Sequence, residues 1–204
     1  MTALIIVDVQ RDFLPGGALA VPEGDAIIPV LNRLQARYPV VALTQDWHPP
    51  DHLSFASNHP GRRPLEVIDL DGIQQVLWPD HCVWNTPGAA LADALDTARA
   101  AAIFRKGMDR RVDSYSGFFD NGRRHKTGLA EWLRALGVTE VHVAGLAADY
   151  CVAYTAADAC ELGFRTVIVE DATRPISAEG FARLGDPLRA RGVRIEPSTR
   201  LEPS

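Results

Sequence analysis

Residues 141–163, VHVAGLAADYCVAYTAADACELG, hold an apolar run of strand length, a turn and a helix in quick succession. Val141–Ala144 reads as a strand, Tyr150–Leu162 as the helix after it, and Gly163 sits where a left-handed residue ends a helix. A strand feeding a helix is the repeating unit of a parallel sheet, because parallel neighbours need a crossover. The same unit recurs in both directions along the chain. Upstream, Leu4–Val7 leads through a Gly/Pro loop (Pro15 to Gly24) to a helix over Asp25–Tyr38, with Ile27, Ile28, Leu31 and Leu34 at helical spacing. Val40–Leu43 is a second strand, and a short helix around Ala89–Ala98 leads to a third at Ala101–Phe104. Thr127 caps a helix to Leu136 that Gly137 terminates. Downstream come Thr166–Val169, a helix near Ala178–Arg189 and a short strand at Val193–Ile195. The expected fold class is α/β: a three-layer α/β/α sandwich around a central, mainly parallel sheet of about six strands with right-handed crossovers. No internal repeat or linker divides the chain, so residues 1–204 are expected to form a single domain.

Composition narrows the function classes. With 204 residues, 47% hydrophobic and 23% charged, the chain has material for a sizeable core and is not a disordered tail. No apolar run approaches the roughly 20 residues of a membrane span. The start, MTALIIVDVQ, lacks a basic stretch before its apolar run, which points to a cytoplasmic protein. A net charge of −5 offers no general attraction to nucleic acid, and the pairs Arg62–Arg63, Arg110–Arg111 and Arg123–Arg124 read as solvated loop charges. Three cysteines at wide spacing read as reduced thiols rather than a disulfide framework. Oligomeric state is open.

Four apolar runs stop at or just before residues that can do chemistry: LIIV at Asp8, VVAL before Asp46 and His48, AAIF before Lys106, and VHVA before Cys151. As neighbouring parallel strands they would present all four ends at the carboxyl edge of one sheet, where α/β folds bind ligands. Cys151 sits at a helix start, whose N–H groups and dipole would lower a thiol pKa and receive an oxyanion. Asp8 and Lys106 are its expected proton-handling partners, since the nearest histidine, His142, lies inside a strand. Cys160 and Cys82 are expected to pack rather than react.

Asp46-x-His48 follows the second strand, with Asp51 and His52 close behind and His81 further on in WPDHC. One carboxylate and two imidazoles suit Zn²⁺, Fe²⁺ or Mn²⁺ with open positions for a ligand. His59 and His125, in hydrophilic loops, read as solvated. The long segment from Trp47 to Val83 and the polar one from Gly107 to Lys126 look like site-covering segments.

These residues resemble the isochorismatase-like cysteine hydrolases, and among them the nicotinamidases. The resemblance runs through IIVDVQRDFLPGGALAV, TQDWHPPDHLSFASNH, LWPDHCVWNTPGA, FRKGMDRRVDSYSGFFDN, GLAADYCVAYTAADACELG and EDATRPI. DVQRDF with GLAADYC marks the superfamily, whereas DWHP, WPDHC and DSYSGFFDN are the more specific segments. It implies a metal-bearing amidohydrolase of NAD salvage that converts nicotinamide to nicotinate and ammonia, with pyrazinamide a further substrate. Asp8, Lys106 and Cys151 match the family triad; Asp46, His48 and His81 match its metal ligands, zinc above iron or manganese. His52 matches a ligand in some members only. Leu146–Ala147 falls where the family has a cis peptide beside the oxyanion hole. Phe13 and Trp78 match aromatic pocket walls, with Leu19 and Tyr115 beside them. Two alternatives remain at this point: another amide substrate, carbamoyl or ureido, on the same fold, and a non-catalytic nicotinamide-binding module.

Overall fold

The computed structural model describes residues 1–202. Its centre is a six-stranded sheet in the order β5-β2-β1-β6-β7-β8, all of whose pairings are parallel. The strands are β1 (Thr2–Val7), β2 (Val40–Asp46), β5 (Ala102–Lys106), β6 (Glu140–Leu146), β7 (Arg165–Arg174) and β8 (Arg194–Glu196). The expected sandwich is present. β1 is buried along its whole length, and its alternate residues divide between two cores. Leu4 and Ile6 pack with Ile28, Leu31 and Leu34 of helix α1 (Ile28–Gln35) on one face. Ala3, Ile5 and Val7 pack on the other with α2 (Leu129–Ala135), α3 (Ala153–Glu161) and α4 (Ala178–Ala190).

Several boundaries differ from the sequence expectation. The first helix begins only at Ile28, after a 3-10 turn over Gly24–Ile27. The helix expected around Ala89–Ala98 does not form; only a 3-10 turn, Pro87–Ala89, precedes a run of turns. Tertiary bonds override its helix propensity. Ala89 O accepts from the Gln10 and Gln45 side chains, Ala92 N–H donates to Val9 O, and Ala94 O and Asp96 O accept from Asn32 and Gln35.

Inside the long segment after β2 lies an unforeseen hairpin, β3 (Val67–Leu70) with β4 (Ile73–Val76). Asp71 and Gly72 both have positive φ, 53° and 82°, as a tight two-residue hairpin turn demands. The hairpin brings Gln75, almost wholly buried, against Asp113 and Tyr115, to which its Nε2 donates at 3.2 and 3.3 Å. Gly137 and Gly163 end α2 and the α3 segment at φ 75° and 91°. No helix among the described residues is long and apolar enough to cross a membrane.

Candidate active site

The strand order makes neighbours of four chain-distant ends. Lys106 closes β5, Asp46 closes β2, Asp8 follows β1, and Cys151 lies five residues beyond β6, so all four meet at the carboxyl edge. Asp46 and Lys106 are paired across the ladder. Lys106 Nζ, fully buried, lies 2.8 Å from Asp8 Oδ2 and 2.6 Å from Asp46 Oδ1, donates to Ser114 O at 2.8 Å, and reaches Cys151 Sγ at 3.4 Å. Asp8 Oδ1 accepts from Thr44 Oγ1 at 2.6 Å. Asp8 also holds a left-handed backbone, φ 47°, a strained state for a non-glycine residue of the kind found at functional sites.

Burial sets the protonation states. It raises the Asp8 carboxyl to about 6 against the pull of Lys106. Burial also works on Lys106, but Asp46 and Asp8 outweigh it and hold the ammonium charged, well above its ordinary value. Cys151 corrects one expectation: instead of being lowered, its pKa is pushed well above the ordinary thiol value by burial, with Asp8 and Asp46 adding to the shift and Lys106 only partly offsetting it. Cys151 does not open a regular α-helix either. It sits in a π-turn, Ala148–Val152, between the strand and α3. The peptide Leu146–Ala147 is cis and leads into that turn, whose Tyr150 and Val152 N–H groups donate to Ala147 O.

Asp46, His48 and His81 lie beside this group, all buried, with one ligand atom from each within 4.8 Å of the others. His48 Nδ1 bonds Gly107 O and His81 Nδ1 bonds Pro79 O, both at 2.8 Å. Carbonyls only accept, so both rings donate through Nδ1 and leave Nε2 free as a lone-pair donor, the arrangement of metal-binding imidazoles. His48, His52 and Asp113 form a second such group sharing His48. His52 Nδ1 is engaged by Ser54, while its buried Nε2 has no hydrogen-bond partner. The donor chemistry and that orphaned nitrogen fit a divalent cation. Burial would raise the Asp46 carboxyl, but Lys106 and His48 hold it below the usual range. Burial lowers His52 to about 4 and also lowers His81, each helped by His48; the same burial acts on His48, where Asp46 outweighs it.

Phe13, Leu19, Trp78 and Tyr115 line one small cavity with Cys151, Asp46 and His81. Trp78 Nε1 donates to Tyr115 Oη at 3.3 Å, and its ring meets that of Tyr150 edge-on at 4.9 Å. Tyr150, Ile176 and Asp113 share the lining and were not anticipated. Tyr150 is next to the thiol in sequence, a signal that was available; Asp113 and Ile176 reach the site only through the fold. A roomier hollow of about 370 Å³, under the Gly107–Lys126 segment, touches Lys106 but neither Cys151 nor Asp8. The other cysteines and histidines stand apart. Cys82 is in the core, and Cys160, half-buried, donates to Arg191 O. His142 bonds Tyr38 and Glu140. His125 is exposed beside Asp120, whereas His59, expected in solvent, is partly buried on Leu53 O.

A parallel sheet carrying a thiol, an acid and an amine at one edge is the frame of a family of α/β hydrolases, and an isochorismatase domain matches residues 2–193. The chain belongs to that family. It is 50% identical over 181 residues to the nicotinamidase of Escherichia coli (strain K12), covering 87% of this chain and 84% of that protein. Among solved structures it resembles an Acinetobacter baumanii nicotinamidase/pyrazinamidase, with a TM-score of 0.95, 44% identity, and 97% and 96% of the two chains covered. It also resembles the pyrazinamidase of Pyrococcus horikoshii in complex with zinc, with a TM-score of 0.80, 38% identity, and 96% and 98% covered.

Proposed function

We propose that this protein is a nicotinamidase, a cysteine amidohydrolase that converts nicotinamide to nicotinate and ammonia in NAD salvage. The observation that carries the reading is the convergence on Lys106 Nζ of Asp8, at 2.8 Å, and Cys151 Sγ, at 3.4 Å, with Cys151 also lining an aromatic-walled pocket. Its similarity to nicotinamidases supports the choice of substrate. Asp8 accepts the thiol proton as the Cys151 sulfur bonds to the carboxamide carbon. Because the resting thiol is protonated, attack and proton transfer belong to one event. Backbone N–H groups near Ala147 and Cys151 receive the oxyanion. Asp8 then returns the proton to the leaving nitrogen, the C–N bond breaks, and ammonia departs from a nicotinoyl thioester on Cys151. Water gives a proton to Asp8 while its oxygen attacks the thioester carbon, the C–S bond breaks, the sulfur regains that proton, and the acid released gives up its remaining proton to solvent as nicotinate. Lys106 keeps Asp8 oriented and steadies the charges as they move.

Asp46, His48 and His81 would hold one divalent ion, zinc above iron or manganese, with His52 and Asp113 adjoining. Held there, such an ion would supply an electrophile for the ring nitrogen, while Phe13 and Trp78 give the ring its aromatic walls. Pyrazinamide, with a ring of the same size, is a further substrate. The functional unit is one domain spanning residues 1–204, a cytoplasmic enzyme whose partner is this small molecule and not nucleic acid or a membrane.

Ammonia release from nicotinamide, measured together with metal content for wild type and Cys151→Ala, tests the reading. Turnover by wild type and none by the metal-loaded variant supports it. Turnover by Cys151→Ala excludes the thioester route, and a wild type that acts only on carbamoyl or ureido amides, or binds nicotinamide without product, excludes the assignment.

A further inference from the structure

We infer that Asp149 is a positioning residue whose carboxylate ties the turn carrying Cys151 to the segment carrying Ile176, and so sets the wall that closes the pocket over the thiol. Asp149 lies two residues before Cys151 in the π-turn and is buried. Its two oxygens are divided between two successive backbone donors far along the chain. Oδ1 accepts from Ile176 N and Oδ2 from Ser177 N, both at 2.9 Å. Those donors lie in the short connection between Arg174, the end of β7, and Ala178, the start of α4. Ser177 caps α4 by accepting from Gly180 N at 3.1 Å, and a carboxylate at a helix N-terminus is held there by the helix dipole as well. The fit is close: a Cβ added at Gly180 would stand 3.2 Å from Asp149 Oδ2.

The Ile176 side chain faces the cavity that holds Cys151, Phe13 and Leu19. That cavity measures about 20 Å³, room for about one water. A six-membered ring bearing a carboxamide enters only if a wall yields. Trp78 and Tyr115 are bonded to each other, and Phe13 is fixed in a 3-10 turn by its N–H bond to Gln10 O. Ile176 rides instead on a three-residue connection whose two N–H groups, those of Ile176 and Ser177, are both taken by one carboxylate. The same carboxylate belongs to the nucleophile's turn, so the clamp fixes the height of this wall above the sulfur. The kinetic part of the inference rests on the nicotinamidase reading; the steric part does not.

Asp149→Asn replaces one oxygen by an NH₂ that must face a backbone N–H, donor against donor, in a side chain of nearly equal volume. The measurement is the rate of Cys151 alkylation by iodoacetamide, scored at Cys151 by peptide mass, with thermal melting recorded in parallel. Asp149→Asn is expected to react on the order of tenfold faster, the loss of one charge-assisted hydrogen bond, and Ile176→Ala to react faster to a similar degree. The double variant should react no faster than the faster single variant, because both act through one wall. KM for nicotinamide should fall several-fold in Asp149→Asn while kcat changes less than about twofold, because the ring no longer has to displace a clamped wall in order to bind. If Asp149→Asn does not fold, Gly180→Ala crowds both Asp149 Oδ2 and Ser177 Cβ, each at 3.2 Å, while leaving the carboxylate in place, and should accelerate alkylation several-fold. An unchanged alkylation rate in a folded variant, or multiplicative effects in the double variant, overturns the inference. Alkylation needs no substrate, so a wild type inactive on nicotinamide would remove the nicotinamidase reading and leave this test intact.

Discussion

Lys106 Nζ stands 2.6 Å from Asp46 Oδ1, across the last ladder pair of β5 and β2. The ammonium that orients Asp8 thus also neutralises the carboxylate of the imidazole cluster. The thiol site and the Asp46–His48–His81 cluster share one buried charge.

Lys106→Met should therefore damage both. Two buried carboxylates lose their counter-charge, and removing one partner of a buried ion pair costs about 3–5 kcal/mol. Urea unfolding is expected to show a loss of that order, with kcat/KM for nicotinamide down by roughly 10³-fold or more. A variant as stable as wild type would mean that the ammonium does not hold the two carboxylates together.

Burial of the Cys151 sulfur predicts a resting thiol rather than a thiolate. Difference absorbance at 240 nm between wild type and Cys151→Ser should show no thiolate at pH 7 and should develop only as the pH passes above the ordinary thiol range. A thiolate band at neutral pH would restore the lowered thiol pKa that the helix-start position implied. It would also make Asp8 unnecessary as a base in the first step.

The sequence made the frame legible because β1, β2 and β6 are buried on both faces and read as apolar runs that stop near the site, while the edge strand β5, half exposed, still ends at a buried Lys106. Asp8, Asp46, Lys106 and Cys151 stand at those stops. What stayed hidden depended on contacts made from a distance. The Ala89–Ala98 stretch has helix composition, yet Gln10, Gln45, Asn32 and Gln35 take its carbonyls. Asp149 bonds only residues 27 and 28 positions away. The sign of the Cys151 shift was missed because the helix dipole is readable from order along the chain and burial is not. The β3–β4 hairpin was different: Asp71–Gly72 between apolar alternations was a usable turn signal.

Asp8 must be ionised to accept the thiol proton, and burial places its pKa at about 6. The active form is lost as the pH falls, so log kcat/KM should be flat above that value and decline below it with unit slope. Lys106 lowers the Asp8 pKa, so residual activity in Lys106→Gln should have this acid limb displaced to higher pH. A pH profile of both proteins checks the direction. An acid limb that stays in place would assign it to another group.

Gly107 follows Lys106 at φ 67°, and its carbonyl holds His48 Nδ1 at 2.8 Å. A Cβ at this position would lie 2.3 Å from His48 Cε1 and 2.6 Å from Nδ1, closer than any side-chain contact tolerates. The left-handed backbone adds to the cost of any L side chain. Gly107→Ala should therefore turn the His48 ring away from Asp46 and His81 while leaving Asp8, just after β1, and Cys151, in the π-turn, in place. Zinc affinity measured by competition with a chromogenic chelator is expected to fall by about 10- to 100-fold, the range found when a ligand loses the partner that orients it. Cys151 alkylation should stay near the wild-type rate. Undiminished zinc affinity in Gly107→Ala would show that His48 is not among the ion's holders.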